Sequence, residues 1–109
     1  MQLGELVKTA AAEGKEKHVP VIELVDGGRA VKITVGREVP HPNTVEHHIK
    51  WIMLFGVRGG VAVHIATFDL GPTYGAPEVT AHANLEGFSE LIAVEYCNIH
   101  GLWESSCQL

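Results

Sequence analysis

Asp26-Gly27-Gly28-Arg29-Ala30-Val31-Lys32-Ile33-Thr34-Val35 is the stretch on which the fold turns. Val31, Ile33 and Val35 share one parity, and Lys32 and Thr34 share the other. That two-residue period is the mark of a strand with one face in a core. Asp-Gly-Gly before it is a hairpin turn signal. The preceding run, Val19 to Val25, then supplies the first arm, with Pro20 near its start, where a missing N–H is tolerated. Working outward, alternation returns from His47 to Phe55, and Arg58-Gly59-Gly60 turns the chain into a strand from Val61 to Leu70. In that strand Val61, Val63 and Ile65 are expected on one side. Gly71 to Pro77 is a loop and Glu78 to Asn84 a weaker strand. Glu86-Gly87 marks a turn before Ser89 to Tyr96, and Gly101 to Cys107 closes the chain. Only Leu3 to Glu13 has helical spacing, through Leu3, Leu6, Val7 and Ala10, with Gly14 to end it. The count predicts an all-β chain, an immunoglobulin-like antiparallel β-sandwich of about seven strands. A small barrel is the alternative.

The chain has 109 residues, 46% of them hydrophobic, which suits one domain over residues 1–109 with one core. The formal net charge is −5 with no Lys/Arg cluster in sequence, a poor match for nucleic acid or an anionic membrane. No apolar run approaches the roughly 20 residues of a membrane span. The first residues lack the features of a signal peptide, so a cytoplasmic location with reduced thiols is expected.

Seven histidines are present, and four of them sit in loops beside other ligand types. His41-Pro42-Asn43-Thr44-Val45-Glu46-His47-His48 places two imidazoles at the ends of a loop stiffened by Pro42. His47 shares the parity of Ile49, Trp51, Met53 and Phe55, read here as the core face, which favours His47 over His48 as a ligand. Cys97-Asn98-Ile99-His100-Gly101 allows a tight turn to aim a thiolate and an imidazole at one point. Glu16-Lys17-His18-Val19-Pro20 adds a further imidazole beside two charges. Five protein donors exceed the four of structural zinc. Four imidazoles and a thiolate leave one open octahedral position, an arrangement that suits iron.

These three segments, continued through Leu102-Trp103-Glu104, resemble the signature segments of the superoxide reductase family. The likeness is to its one-iron form, neelaredoxin, which is also the iron domain of desulfoferrodoxin. The resemblance implies an immunoglobulin-like sandwich and one iron per chain. It implies that His18, His41, His47 and His100 are equatorial ligands and Cys97 the axial thiolate. Lys17 matches the lysine beside the open position, and Glu16 the glutamate that can fill it in the ferric state. The implied reaction is one-electron reduction of superoxide to hydrogen peroxide, with a rubredoxin-like or other small donor restoring Fe(II). Residues 1–15 read as an N-terminal extension; they carry no cysteine, so no second iron centre is expected. A dimer or tetramer is expected. An iron protein that only transfers electrons, or a binding module stapled by zinc, are the competing readings.

Other residues have plainer readings. His48 is expected on a strand surface, and His64 and His82 as surface or hydrogen-bonded histidines. Cys107 is expected as a simple thiol. Trp51 and Trp103 are expected in packing, and Asn43 and Thr44 in shaping their loop.

Overall fold

Asp26–Gly28 closes a hairpin between β1 (Pro20–Val25) and β2 (Ala30–Val35) in a computed structural model that describes residues 1–109. In β2, Val31, Ile33 and Val35 are buried, and Lys32 and Thr34 are half-buried, as the alternation requires. The other strands are β3 (Ile49–Arg58), β4 (Val61–Asp69), β5 (Glu78–His82), β6 (Glu90–Cys97) and β7 (Gly101–Gln108). All pairings are antiparallel, in a three-stranded sheet ordered β1-β2-β5 and a four-stranded sheet ordered β4-β3-β6-β7. Two separate sheets make a sandwich and not a closed barrel. Val31, Ile33 and Val35 of one sheet meet Ile49, Ile52, Leu54, Leu91, Ala93 and Cys97 of the other in a single core.

The face of β3 differs from the expectation. Its core residues are Ile52 and Leu54, while Trp51, Met53 and Phe55 lie half-buried on the outer side. The cause is a register shift between Ile49 and Trp51 against β6, which leaves Lys50 unpaired there and reverses the parity. Both parities of this run are apolar, so alternation had no polar face to mark the outside. Trp51 stacks on Tyr96 across the strands, with ring centroids 5.9 Å apart. In β4 a second shift, between Leu54 and Phe55 of β3, reverses the pattern after His64. Ala66 and Phe68 then pack on the core beside Ile65, and Val61 is exposed.

The expected helix over Leu3 to Glu13 does not form. Two 3-10 turns stand there, Leu3–Glu5 and Ala10–Ala12, separated by an extended bridge at Lys8. Lys8 N–H donates to the Leu102 carbonyl (2.9 Å), and Glu104 N–H donates to the Lys8 carbonyl (2.8 Å). A single helix of this length is marginal in water, whereas β7 offers a free edge with unmet backbone groups. Tertiary pairing therefore outweighs helical spacing.

Between β2 and β3 the chain reverses at Gly36, whose φ is +89°. A Cβ on Gly36 would stand 2.6 Å from the His41 backbone nitrogen and 3.1 Å from the Val39 oxygen. Gly59 also has positive φ (+56°) but faces open space. Both Gly→Ala changes meet the left-handed cost of about 1–2 kcal/mol. We expect Gly36→Ala to cost at least about 1 kcal/mol more than Gly59→Ala in urea unfolding, because only it forces backbone to move. Equal midpoints for the two variants would remove Gly36 as the support of the His41 loop.

Candidate metal centre

Strand pairing brings the ligand loops together. Ile49, the first residue of β3, pairs with Cys97, the last of β6. The loop ending at His48 must therefore lie beside the turn that begins at Asn98. Asn98 joins them: its Oδ1 accepts from His48 N–H (2.8 Å), and its Nδ2 donates to the Glu46 carbonyl (2.9 Å). The Thr44–His47 turn closes on itself, with His47 N–H donating to Thr44 Oγ1 (3.0 Å). The His48 ring, expected on a strand surface, is instead buried ahead of β3, because its Nδ1–H donates back to the Thr44 and Val45 carbonyls (3.1 Å each). His48 thus braces the turn that presents His47. Asn43 likewise holds its loop, its Oδ1 accepting from Thr73 N–H (3.0 Å).

His18 precedes β1, and His41 and His47 lie in the β2–β3 loop. Cys97 ends β6, and His100 lies in the β6–β7 turn. Donor atoms of His18, His41, His47 and Cys97 all fall within 4.8 Å of one another. His100 stands at the rim of that group, its Nδ1 3.1 Å from His18 Nε2 and 3.7 Å from Cys97 Sγ. The four rings follow one another edge to face. Interplanar angles are 81° for His18–His41, 78° for His41–His47, 61° for His47–His100 and 77° for His100–His18. His18 and His47 face each other across this ring, 29° from parallel and 6.4 Å apart.

The outward nitrogens are already engaged, which fixes the tautomers. His18 Nδ1–H donates to Glu13 Oε1 (3.1 Å), and His41 Nδ1–H donates to the Pro42 carbonyl (2.7 Å). Each Nε2 is left with a lone pair toward the centre. His47 Nε2 is buried with no hydrogen-bond partner. Cys97 Sγ lies below, 3.6 Å from His41 Nε2, and accepts from His100 N–H (3.4 Å). Nitrogen and sulfur donors converging this closely, one of them buried without a partner, are costly unless a cation sits among them. The donor set fits a single metal ion.

Burial and neighbouring charges favour the neutral form of three of the imidazoles. Burial, with the neighbouring histidines and Lys17, pushes His41 down to about 4. Burial likewise lowers His18, against the opposing pull of Glu13, and lowers His47, where His100 and Lys17 add to the effect. Neutral imidazole is the form that binds metal.

Lys17 and Glu16 flank this centre differently. Lys17 is half-buried, lines a hollow with His18, His100 and Trp103, and forms no ion pair. Glu16 is turned to Arg37, accepting from Nε (2.9 Å) and Nη2 (3.0 Å). Its backbone carbonyl takes N–H bonds from Glu38 and Val39, strapping the His18 loop to the His41 loop. His64 and His82 are exposed and far from this set in the fold, on β4 and β5. Cys107 is a free thiol on β7.

Three residues that matter here escape a reading by motif. Glu13 accepts backbone N–H bonds from Lys17, His18 and Val19 as well as the His18 ring. Burial raises its pKa, but these donors together bring it below the ordinary carboxylate value. Trp103, expected in packing, packs on a candidate ligand: it lies against His18 with centroids 4.7 Å apart and planes 14° from parallel. Glu95 shares the inward face of β6 with Cys97 and is fully buried. Burial and Glu13 push its carboxyl up to about 9, so it is neutral at pH 7. Neither its oxygens nor Nε1 of Trp103, its cross-strand partner, has a hydrogen-bond partner. An acidic residue at a core parity, two before Cys97, was the available signal for Glu95.

An immunoglobulin-like sandwich with a mononuclear His/Cys centre at one end of its sheets defines a class of small metalloprotein. Comparison with known proteins gives the particular family. The desulfoferrodoxin family matches residues 10–106, and the chain belongs to it. Superoxide reductase from Pyrococcus horikoshii is 40% identical, with 98% of each chain covered. Neelaredoxin from Megalodesulfovibrio gigas is 35% identical, covering 97% of this chain and 95% of the relative. Superoxide reductase from Nanoarchaeum equitans superposes with a TM-score of 0.84 at 38% identity, covering 94% of this chain and 99% of that one.

Glu13 gives a pH-dependent prediction. Glu13→Gln exchanges charge-assisted bonds for neutral ones and should lower stability by about 2 kcal/mol near pH 7. The folded-state pKa of Glu13 lies below its unfolded value. Its contribution is therefore complete above the ordinary carboxylate range and disappears as pH falls through the folded value. Urea unfolding of the two metal-free proteins should converge in acid. A constant difference down to about pH 3 would show that the carboxylate charge is not the cause.

Proposed function

We propose that this chain is a superoxide reductase, converting superoxide to hydrogen peroxide by adding one electron and two protons. The observation that carries the reading is the closed circuit of four imidazoles above a buried thiol, in a family whose members include named superoxide reductases. His18, His41 and His47 through Nε2, His100 through Nδ1 and Cys97 through Sγ would hold the iron. Iron held there would supply the electron and a Lewis-acid site for an oxygen anion. Residues 1–109 act as one iron domain, with residues 1–15 as an extension along β7.

Each neighbouring residue has a task. Glu13 holds the His18 ring by its Nδ1–H and fixes the lone pair on Nε2. Trp103 packs on the same ring and limits its tilt. Lys17 attracts the anion: its charge is felt by His18, His41 and His47, although the whole chain carries −5. It also offers N–H donors to an oxygen ligand. Glu16 would offer its carboxylate to ferric iron, for which it must leave Arg37. Peroxide leaves with protons drawn from solvent. A rubredoxin-like or other small carrier restores the ferrous state. Trp51, Met53, Phe55 and Tyr96 give the outer face of the four-stranded sheet a half-buried apolar surface suited to a homo-oligomer. Sedimentation as a monomer at micromolar concentration would remove that last part.

Two experiments test the centre. Cys97→Ser should abolish the visible thiolate-to-iron band of the oxidised protein, and Cys107→Ser should keep it. The reverse result overturns the axial assignment. Lys17→Ala should slow the encounter of the reduced protein with superoxide by at least about tenfold and flatten its salt dependence, with the resting spectrum unchanged. Pulse radiolysis over a range of ionic strength measures both. An unchanged rate and slope would return Lys17 to the solvated surface.

A further inference from the structure

Two candidate ligands have a partner on the outward ring nitrogen, and the partners differ in charge. His41 Nδ1–H meets a neutral peptide carbonyl, that of Pro42, whereas His18 Nδ1–H meets the side chain of Glu13. Every group that reaches the Glu13 oxygens is a donor. Oε2 accepts from the backbone N–H groups of Lys17 (3.2 Å), His18 (2.9 Å) and Val19 (2.9 Å), and Oε1 accepts from the His18 ring (3.1 Å). An acid O–H would find no acceptor among them, so the geometry is that of a carboxylate. No Lys or Arg side chain lies within ion-pair distance of it, and its side chain is only 13% exposed, against 9% for His18. A negative charge with no counter-cation and little solvent around it therefore stands across one imidazole ring from the donor atom Nε2. Glu16, the other acidic residue of this loop, is instead held by Arg37.

The segment that carries Glu13 is pinned so that the charge stays there. Lys8 bridges to the β7 edge on either side of Trp103, through the Leu102 carbonyl and the Glu104 N–H. Its Nζ donates to the His100 carbonyl (3.2 Å) and leaves Glu13 unneutralised. Trp103 in turn packs on the His18 ring that Glu13 holds by its edge. Holding a ring does not by itself need a carboxylate, since a peptide carbonyl does it for His41. What the carboxylate adds is charge. An anionic partner on the outward nitrogen makes a metal-bound imidazole a stronger donor, and the ion of higher charge gains more from it.

We propose that Glu13 is a positioning residue that sets the balance between ferric and ferrous iron. Through the His18 Nδ1–H bond it stabilises the ferric ion over the ferrous one and so holds the midpoint potential down. The proposal rests on the iron centre of the superoxide reductase reading, and not on superoxide being the substrate. In the step it governs, one electron passes from the iron to superoxide, or to a mediator dye in the test. No bond to Glu13 or His18 forms or breaks, and the Nδ1 proton stays on His18.

Spectroelectrochemical titration of the iron-loaded protein measures the midpoint potential directly. Glu13→Gln keeps an oxygen acceptor for the His18 ring and removes the charge. It should lower the ratio of ferric to ferrous affinity at least about tenfold, which raises the potential by about 59 mV or more. Glu13→Asp keeps the charge but draws it back by one methylene, and its potential should fall between those of Glu13→Gln and the unaltered protein. Glu104→Gln removes the same charge from the neighbour of Trp103, on the opposite side of β7, and should change the ratio less than about twofold. Potentials of the Glu13 variants at or below that of the unaltered protein overturn the proposal. So does a shift in Glu104→Gln as large as that in Glu13→Asp. Should Glu13→Gln not retain iron, the comparison of Glu13→Asp with Glu104→Gln decides on the same terms. Pulse radiolysis separates the two readings: the stated shifts in a protein that leaves superoxide unreduced would defeat the catalytic reading and leave the role of Glu13 standing.

Discussion

The antiparallel pairing of β3 with β6 is the constraint on which the centre depends. It ends at Ile49 and Cys97, so the last ladder position of the sheet is also the point where two ligand loops diverge. Cys97 gains full burial by being a core residue of β6, not by any feature of its loop. The histidines are then carried on loops whose ends the two sheets hold in place. This division is typical of sites built on rigid scaffolds, where strands give position and loops give chemistry.

Rigidity in those loops comes from a few polar groups, each serving several partners. Glu13 organises the approach to His18 through four bonds from one carboxylate. Glu16 ties that segment to the His41 loop, and Asn98 ties the His47 loop to the β6–β7 turn. The rings of His18 and His41 are consequently aimed before a metal arrives, and burial favours the neutral form of both and of His47. Preorganisation of this kind lowers the cost of assembling donors that would otherwise repel one another. Burial also leaves Glu95 neutral on the inward face of β6, a polar group held inside the core at a cost in stability.

Much of the fold was legible because its signals are local. The Asp26–Gly28 turn and the alternation in Ala30–Val35 each follow from a handful of adjacent residues. The strand from His47 to Phe55 was legible as a strand but not as a face, because Trp51, Ile52, Met53, Leu54 and Phe55 are apolar without interruption. His47 lies in the donor group, yet not for the reason given by parity: β3 begins at Ile49, and Thr44, His48 and Asn98 shape the turn that aims His47. The helix read over Leu3 to Glu13 failed because β7 supplied the backbone partners that a helix would have supplied to itself.

The sequence by itself determined the chemistry: which residues can donate to a metal, how closely Cys97 and His100 must follow one another, and where glycine permits a reversal. Those are properties of side chains and of neighbouring peptide units, and they need no partner far along the chain. Only the tertiary structure decided that Glu13 serves His18, that Trp103 stacks on it and that Glu95 is buried across the strands from Trp103. Each of these pairs residues through strand register and sheet packing, and a single bulge at Lys50 is enough to change which side chain faces which. Long-range geometry of that kind is fixed by the whole set of pairings at once, and no window of sequence contains it.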